Sequence, residues 1–236
     1  MLELFAGPVV IFCAHTDDET LGCGGLIQLL QERGTEVHVR WFAFGVPPRP
    51  AYDEDEVRAI GERREATRHN ALAALSLPAD RCGYLNDTPP CQLDTVAVLD
   101  LTRKIEAFLR DVQPVTVLTH WSGDSAQDHR RVTEAVVIAT RPKPGQTLRN
   151  VLMYETLSNS EWSMPPAFAP NVFVPLSAHH VAQKAKALAG FTTELMSWPH
   201  PRSTKGVETL ATMRGMQIGV DFAEGFQLVR GIDSPV

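Results

Sequence analysis

Two short clusters hold the side chains whose types and spacing suit chemistry: His15-Thr16-Asp17-Asp18-Glu19, after an apolar run, and Gln127-Asp128-His129, at the start of a helical stretch. Imidazole and carboxylate are the usual ligands of a catalytic zinc, which takes three protein ligands and leaves a fourth position for water. His15, Asp18 and His129 can supply the three. Asp17 is then left over, a carboxylate beside the metal and free to act as a general base, which is the equipment of a hydrolase. Asp128 has two readings: an N-cap for the helix that carries His129, or an acceptor that hydrogen-bonds a ligand imidazole and fixes its tautomer. Glu19 reads as a structural hydrogen-bond acceptor and His120 as a satisfied histidine at the rim of the site. His38, His69, His179 and His180 are assigned no role.

The clusters work together only if the fold brings them together. Residues 8–13 form a continuous apolar run, as expected of a strand buried on both faces of a parallel sheet. Helical spacing over 21–33, closed by Gly34, and a second strand over 36–43 complete a βαβ unit. A loop with Pro47, Pro48 and Pro50 leads to a helix over 54–75, a short strand over 83–85 and a loop over 86–90. A helix over 95–112, a strand over 115–119, a helix over 128–140 and a strand over 151–154 follow. The alternation predicts an α/β fold, a Rossmann-like, doubly wound, mostly parallel sheet flanked by helices. Ligands in such sheets bind beyond the carboxyl ends of the strands, where the strand order reverses. With the order 3-2-1-4-5, the strands leading into His15 and His120 are neighbours there, and the two clusters face each other. Beyond residue 155 the pattern loosens to a strand over 171–174 and helices over 178–189 and 204–218. The expectation is a single domain over 1–236, with a Rossmann-like core over 1–155 and a C-terminal extension over 156–236 that folds across the active-site face.

With 236 residues and 44% hydrophobic content, such a domain can bury a core without disulfides. Cys13, Cys23, Cys82 and Cys91 form no C-x-x-C pair and read as reduced packing residues of a cytoplasmic protein. A net charge of −6 with scattered basic residues argues against nucleic acid or an anionic membrane as the main partner. The apolar start lacks a basic n-region and runs straight into the first cluster, unlike a signal peptide. No segment approaches the ~20 apolar residues of a membrane span. A small, neutral or mildly charged substrate fits this composition.

Ala14-His15-Thr16-Asp17-Asp18-Glu19 resembles the A-H-P-D-D-E motif of the PIG-L/LmbE-like zinc-dependent N-deacetylases, and Asp128-His129 resembles the D-H that ends their second motif. Weaker similarity at Tyr154-Glu155, Ser160-Glu161-Trp162, residues 199–203 and residues 223–226 extends the likeness over nearly the whole chain. The resemblance implies one zinc per chain on His15, Asp18 and His129, and removal of an N-acetyl group from an amino sugar or its conjugate. In that family scheme Asp17 deprotonates the zinc-bound water, whose pKa the metal lowers from about 15.7 to about 7, and later protonates the leaving amine. Arg64 stands where the family often has a substrate-binding arginine, and Asp87 reads as a turn former or a hydroxyl acceptor. Trp121, with Trp162, is a candidate for stacking on a sugar face, and Arg202 for contacting a carboxylate or phosphate. A homo-oligomer is a further expectation of the family.

Departures from the motifs keep other readings open. Thr16 replaces the usual proline, which alters loop stiffness more than ligation, and Leu21 stands where some members use lysine for substrate. Ala126 lies three residues before His129, where many members carry His or Asn to assist the oxyanion; losing such a donor typically costs about 3 kcal/mol. His200 is the candidate replacement, from the same chain or across a subunit contact. The runners-up are an amide hydrolase of the same fold acting on a thiol conjugate or antibiotic intermediate, and a metal-binding homologue with weak turnover. Iron(II), cobalt(II) or manganese(II) suit the same ligand set. Gly22-Cys23-Gly24-Gly25 suggests a nucleotide loop, yet these glycines fall inside a helical stretch rather than between strand and helix.

Overall fold

The computed structural model describes residues 2–44 and 53–233, and the expected loop with Pro47, Pro48 and Pro50 lies outside them. The apolar run at the start becomes β1 (Val9–Cys13), buried along its whole length. Successive strand side chains point to opposite faces, so Val9, Ile11 and Cys13 enter one core while Val10 and Phe12 enter another. A strand with no polar face requires helices on both sides of its sheet. On the first side lie α1 (Asp18–Glu32) and α2 (Glu54–Ala74); on the second lie α3 (Val98–Val112) and α4 (Gln127–Ala139).

Four further strands, β2 (Val37–Ala43), β3 (Cys82–Thr88), β4 (Thr116–His120) and β5 (Asn150–Tyr154), run parallel with β1. The chain after β5 adds β6 (Val172–Leu176), α5 (Ala178–Gly190), α6 (Thr204–Met216) and β7 (Phe222–Gly231). The seven strands lie in the order β3-β2-β1-β4-β5-β7-β6, with β7 antiparallel to both its neighbours. The order reverses between β1 and β4, as the expected 3-2-1-4-5 arrangement requires, so the loops after these two strands share one crevice.

Three of the differences from the sequence reading bear on the site and the sheet. The α1 helix begins at Asp18 rather than residue 21: Asp17, in an unusual backbone conformation described below, is its N-cap residue, and its carbonyl accepts the Leu21 N–H. Strand β3 runs on to Thr88 through residues read as a loop, held there by Phe44 N–H donating to Thr88 O. Strand β7 was not expected at all: Glu224 and Gly225 interrupt its apolar alternation, and Glu224 is buried because it accepts the Gly25 and Leu26 N–H groups and the Lys184 ammonium. The segment after Tyr154 thus completes the sheet and also sends the connection between α5 and α6 over the site. None of the described helices is long and apolar enough to cross a membrane.

Close approach requires glycine at several positions, two of which bear on the site. A Cβ on Gly22 would fall 2.2 Å from the Tyr154 ring, so the glycine run in α1 serves helix-to-sheet packing rather than a phosphate loop. Gly22→Ala is expected to destabilise the protein by about 1–3 kcal/mol through overpacking, measured as a lower urea midpoint at unchanged m-value. A Cβ on Gly206 would meet the Pro201 carbonyl at 2.0 Å. With Ser203 capping α6 by accepting the Gly206 N–H, this packing fixes the chain on both sides of Arg202.

Candidate metal centre

The turn between β1 and α1 is built by carboxylates. Asp17, the N-cap residue of α1, has φ 119° and ψ −23°, a conformation that costs a residue other than glycine about 1–3 kcal/mol. Its surroundings enforce it. The His15 N–H donates to Asp18 Oδ2 at 2.7 Å, and the Asp17 N–H donates to Glu19 Oε2 at 3.2 Å. Glu19 is fully buried and also accepts from Trp41 Nε1 at 2.9 Å and Thr20 Oγ1 at 3.0 Å. It is the structural acceptor expected from the sequence.

His129 comes from the first turn of α4 and reaches the same crevice. Its Nε2 lies 3.4 Å from Asp18 Oδ1, and its Nδ1 lies 3.2 Å from Asp124 Oδ1. His15 Nδ1 lies 3.6 Å from Asp18 Oδ2, while its Nε2 is 2.9 Å from Asp128 Oδ2. One ligand atom each from His15, Asp18 and His129 can be chosen with all three within 4.8 Å of one another. Asp18 Oδ1 is buried and accepts no hydrogen bond among the described residues. A buried carboxylate oxygen left unsatisfied is costly; here it faces the His129 imidazole, while the other oxygen of the same carboxylate faces His15 and His120. The donor set therefore fits a divalent cation of the zinc type, with Asp128 behind one imidazole and Asp124 behind the other, an arrangement that orients ligand histidines.

Charge in the cluster is balanced by protons when no cation is present. Burial pushes the His129 imidazole down, but Asp18 and Asp124 outweigh it and hold the group up at about 10. Burial likewise opposes ionisation of His15, and Asp128 and Asp18 raise it nonetheless. Burial works against the Asp18 carboxylate, yet His129 and His120 hold it well below the usual range. A metal ligand must be deprotonated imidazole. Cation binding at pH 7 is therefore expected to release at least one proton, that of His129. Calorimetric titration with zinc in two buffers of different ionisation enthalpy measures it, and an apparent enthalpy independent of buffer would count against this ligand.

His120 is not a competing ligand, although His120, Asp124 and His129 also lie close enough to hold an ion. Its Nε2 accepts the Ala14 N–H at 3.0 Å, leaving Nδ1–H to face Thr156 Oγ1 at 3.2 Å. Burial and the neighbouring His129 press it down to about 4, so it stays neutral. Its ring stacks on His129 at 3.8 Å between centroids and fixes the plane of that imidazole.

The general-base candidate, Asp17, is buried, with Oδ2 paired to Arg202 Nη1 at 3.1 Å. Burial pushes its carboxyl up to about 7 against the pull of Arg202. The other expected site residues fall in different surroundings. Trp121 is buried with its ring against Phe168 at 5.9 Å, so it packs under the site instead of presenting a stacking face. Asp87 is exposed on β3. Arg64 lines a small cleft with His15, Thr16, Phe44 and Tyr84 and pairs with Glu194 at 3.4 Å. Arg202 gives Nε and Nη1 to protein partners, and His200 accepts the Arg202 N–H on Nδ1 while its ring meets Trp162 at 5.5 Å. Ala126 is the N-cap residue of α4, with no side-chain cap. Asp128, read as cap or imidazole acceptor, proves to be the acceptor: it binds His15 and the N–H groups of Cys91 and Leu93. Cys13 and Cys23 are buried as expected of packing residues, whereas Cys91 is exposed.

Sequence reasoning missed Asp124, Ser158 and Glu194. Asp124 ties the cluster to the segment after β5 through Ser160 Oγ, which donates to its Oδ2 at 3.0 Å. The available signal was a lone carboxylate in the loop between β4 and α4. Nothing in the sequence pairs residues 158 and 194 with residue 202.

A sheet reversed at β1 and β4, with a largely buried His-Asp-His set beyond both strands, defines an α/β protein with a candidate metal centre at its switch point. The profile of the PIG-L family, GlcNAc-PI de-N-acetylase, matches residues 10–140, and the chain belongs to this family. An Escherichia coli K12 protein named uncharacterized deacetylase YaiS is 30% identical over 183 residues, which is 74% of this chain and 85% of that protein. Among solved structures, the conserved protein TT1542 of Thermus thermophilus has a TM-score of 0.71 at 22% identity, with 96% of each chain covered. N,N'-diacetylchitobiose deacetylase of Pyrococcus horikoshii has a TM-score of 0.70 at 19% identity, over 95% of this chain and 84% of that one. GalB, the 4-carboxy-2-hydroxymuconate hydratase of Pseudomonas putida KT2440, has a TM-score of 0.71 at 21% identity, over 98% and 99%. At these identities the solved structures speak for the fold alone, and a hydratase shares it.

Proposed function

We propose that the protein is a metal-dependent N-deacetylase that hydrolyses the acetamide of an N-acetylated amino sugar or conjugate, with one zinc held by His15, Asp18 and His129. The observation that carries this reading is the clustering of those three side chains, with a buried and unsatisfied Asp18 Oδ1 among them and the buried Asp17 carboxylate on the adjoining residue. Family membership and the deacetylase names of the relatives supply the reaction class.

Zinc, when bound, supplies positive charge that polarises a carbonyl and acidifies water at neutral pH. The chain supplies the proton handling and the orientation. Asp17 takes a proton from water as its oxygen adds to the acetamide carbon, and returns a proton to the nitrogen as the C–N bond breaks, leaving acetate and a free amine. A carboxyl pushed by burial to about 7 suits both transfers. Asp128 and Asp124 fix the two imidazoles from behind, and Arg202 fixes Asp17.

The test is metal analysis of the purified protein followed by acetate release from a panel of N-acetylated sugars, beginning with N-acetylglucosamine. About one zinc per chain and turnover on at least one sugar are expected. A protein that binds no metal after reconstitution, or that releases no acetate from any sugar, overturns the proposal.

A further inference from the structure

Amide hydrolysis builds negative charge on the carbonyl oxygen, and a prepositioned N–H donor aimed at that oxygen is among the strongest aids a site offers. Most polar hydrogens around the cluster are already committed. His120 uses both ring nitrogens, the second nitrogen of His15 is hydrogen-bonded to Asp128, and that of His129 is buried 3.2 Å from Asp124 Oδ1 without making a hydrogen bond. The Tyr154 hydroxyl lies 2.9 Å from the Phe12 carbonyl oxygen, within hydrogen-bonding distance. Gln127 Nε2 donates to Cys91 O and to Asp94, and Ala126 offers only a methyl group.

Arg202 is different. Its Nε donates to Ser158 Oγ at 2.9 Å, and its Nη1 donates to Asp17 Oδ2 and Glu194 Oε2, each at 3.1 Å. Three partners on three segments hold the guanidinium plane. The third nitrogen, Nη2, makes no hydrogen bond among the described residues and is not a buried orphan, and the side chain keeps 18% of its surface open. A planar, always-charged fork fixed on two sides and open on the third differs from a flexible ammonium. The chain around it is rigid as well: Pro201 packs on Gly206, Ser203 caps α6, and Met196 N–H donates to Arg202 O.

We propose that Arg202 is a catalytic residue whose Nη2 donates to the acetamide oxygen as that oxygen gains charge, with Ser158 and Glu194 as its positioning residues. The inference rests on the deacetylase reading above. It moves Arg202 from a contact for a substrate carboxylate or phosphate to the reacting atoms, and it assigns to Arg202 the part that the sequence reading gave to His200, whose ring turns to the exposed Trp162.

The experiment compares wild type, Arg202→Ala, Arg202→Lys and His200→Ala as zinc-loaded proteins. Three quantities are read: metal content, kcat and KM on N-acetylglucosamine or the best sugar of the panel, and calorimetric affinity for that sugar with its acetyl group replaced by a tetrahedral methylphosphonamidate. Arg202→Ala is expected to keep its zinc, to lose about 10²–10³-fold in kcat with KM within a few-fold, and to lose analogue affinity by a similar factor. Arg202→Lys keeps a cation for Asp17 but lacks the fork, and recovers only a minor part of both. If Arg202→Lys matches wild type in kcat and analogue affinity, the arginine only holds Asp17 in place and the inference is overturned. The same follows if His200→Ala, rather than Arg202→Ala, weakens the analogue. A wild type that releases no acetate from any sugar overturns the deacetylase reading and the inference with it; wild-type turnover with undiminished analogue binding in Arg202→Ala overturns the inference alone.

Discussion

Asp17→Asn is expected to lower kcat on an N-acetylated amino sugar by about 10²–10⁴-fold while metal content and KM stay close to wild type. Asparagine has nearly the shape of aspartate, and its amide oxygen can still accept from Arg202 Nη1, so the turn and the ion-pair partner keep their places. It cannot accept and return a proton. The pH profile gives the same residue a second signature. Asp17 must be ionised to act as a base, and burial lifts its carboxyl to about 7 in the metal-free cluster. Arg202 already pulls that value down, and a bound cation acts in the same direction. The acid limb of kcat/KM is therefore expected at or below pH 7, with activity falling about tenfold per pH unit under the midpoint. Asp17→Asn should remove that limb from whatever activity remains. Wild-type kcat in the variant would mean that another group handles the proton.

The residues that brought the two clusters together were readable because two independent patterns agreed. A strand with no polar position, Val9–Cys13, demands helices on both faces and therefore a place inside a parallel sheet. A second strand, Thr116–His120, is buried along its whole length although Thr116, Thr119 and His120 are polar, and it must be the neighbour of the first for the crevice to form. What the sequence hid were contacts between segments whose spacing carries no period. Strand β7 enters the sheet with a buried Glu224, a residue type that argues against a core strand until the Lys184 ammonium and two amide N–H groups appear around it. Trp121 looked available because it follows a strand near the site, and only the packing of Phe168 shows that its face is covered. Asp124 and Asp128 reverse the expected emphasis. Both back an imidazole, yet only Asp128 adjoins a motif residue, and Asp124 is found through its geometry to His129.

His129→Ala is expected to abolish stoichiometric metal binding, from about one zinc per chain to near zero, and to destabilise the metal-free protein as well. The first effect follows from losing one of three ligands in a buried set. The second follows from what the imidazole does without metal. With burial opposing it, the protonated ring is still held at about 10 by Asp18 and Asp124, and removing it leaves two buried carboxylates without their partner, a change that typically costs about 3–5 kcal/mol. The pH dependence has a definite sign. The folded value lies above the ordinary 6.5 of histidine, so this contribution is fully present below about pH 6.5 and is lost as pH rises through about 10. In chelator, the stability gap between wild type and His129→Ala should be widest near pH 6 and should narrow toward pH 10. Adding zinc to 1,000 times its dissociation constant stabilises a binding protein by about 4.1 kcal/mol, which wild type should gain and the variant should not. Asp124→Asn separates ligation from support: it keeps all three ligands and should bind zinc about 10–100-fold more weakly. Urea unfolding with and without zinc, beside elemental analysis, measures all of these. A His129→Ala protein that still carries one zinc per chain would remove His129 from the ligand set and require a different one.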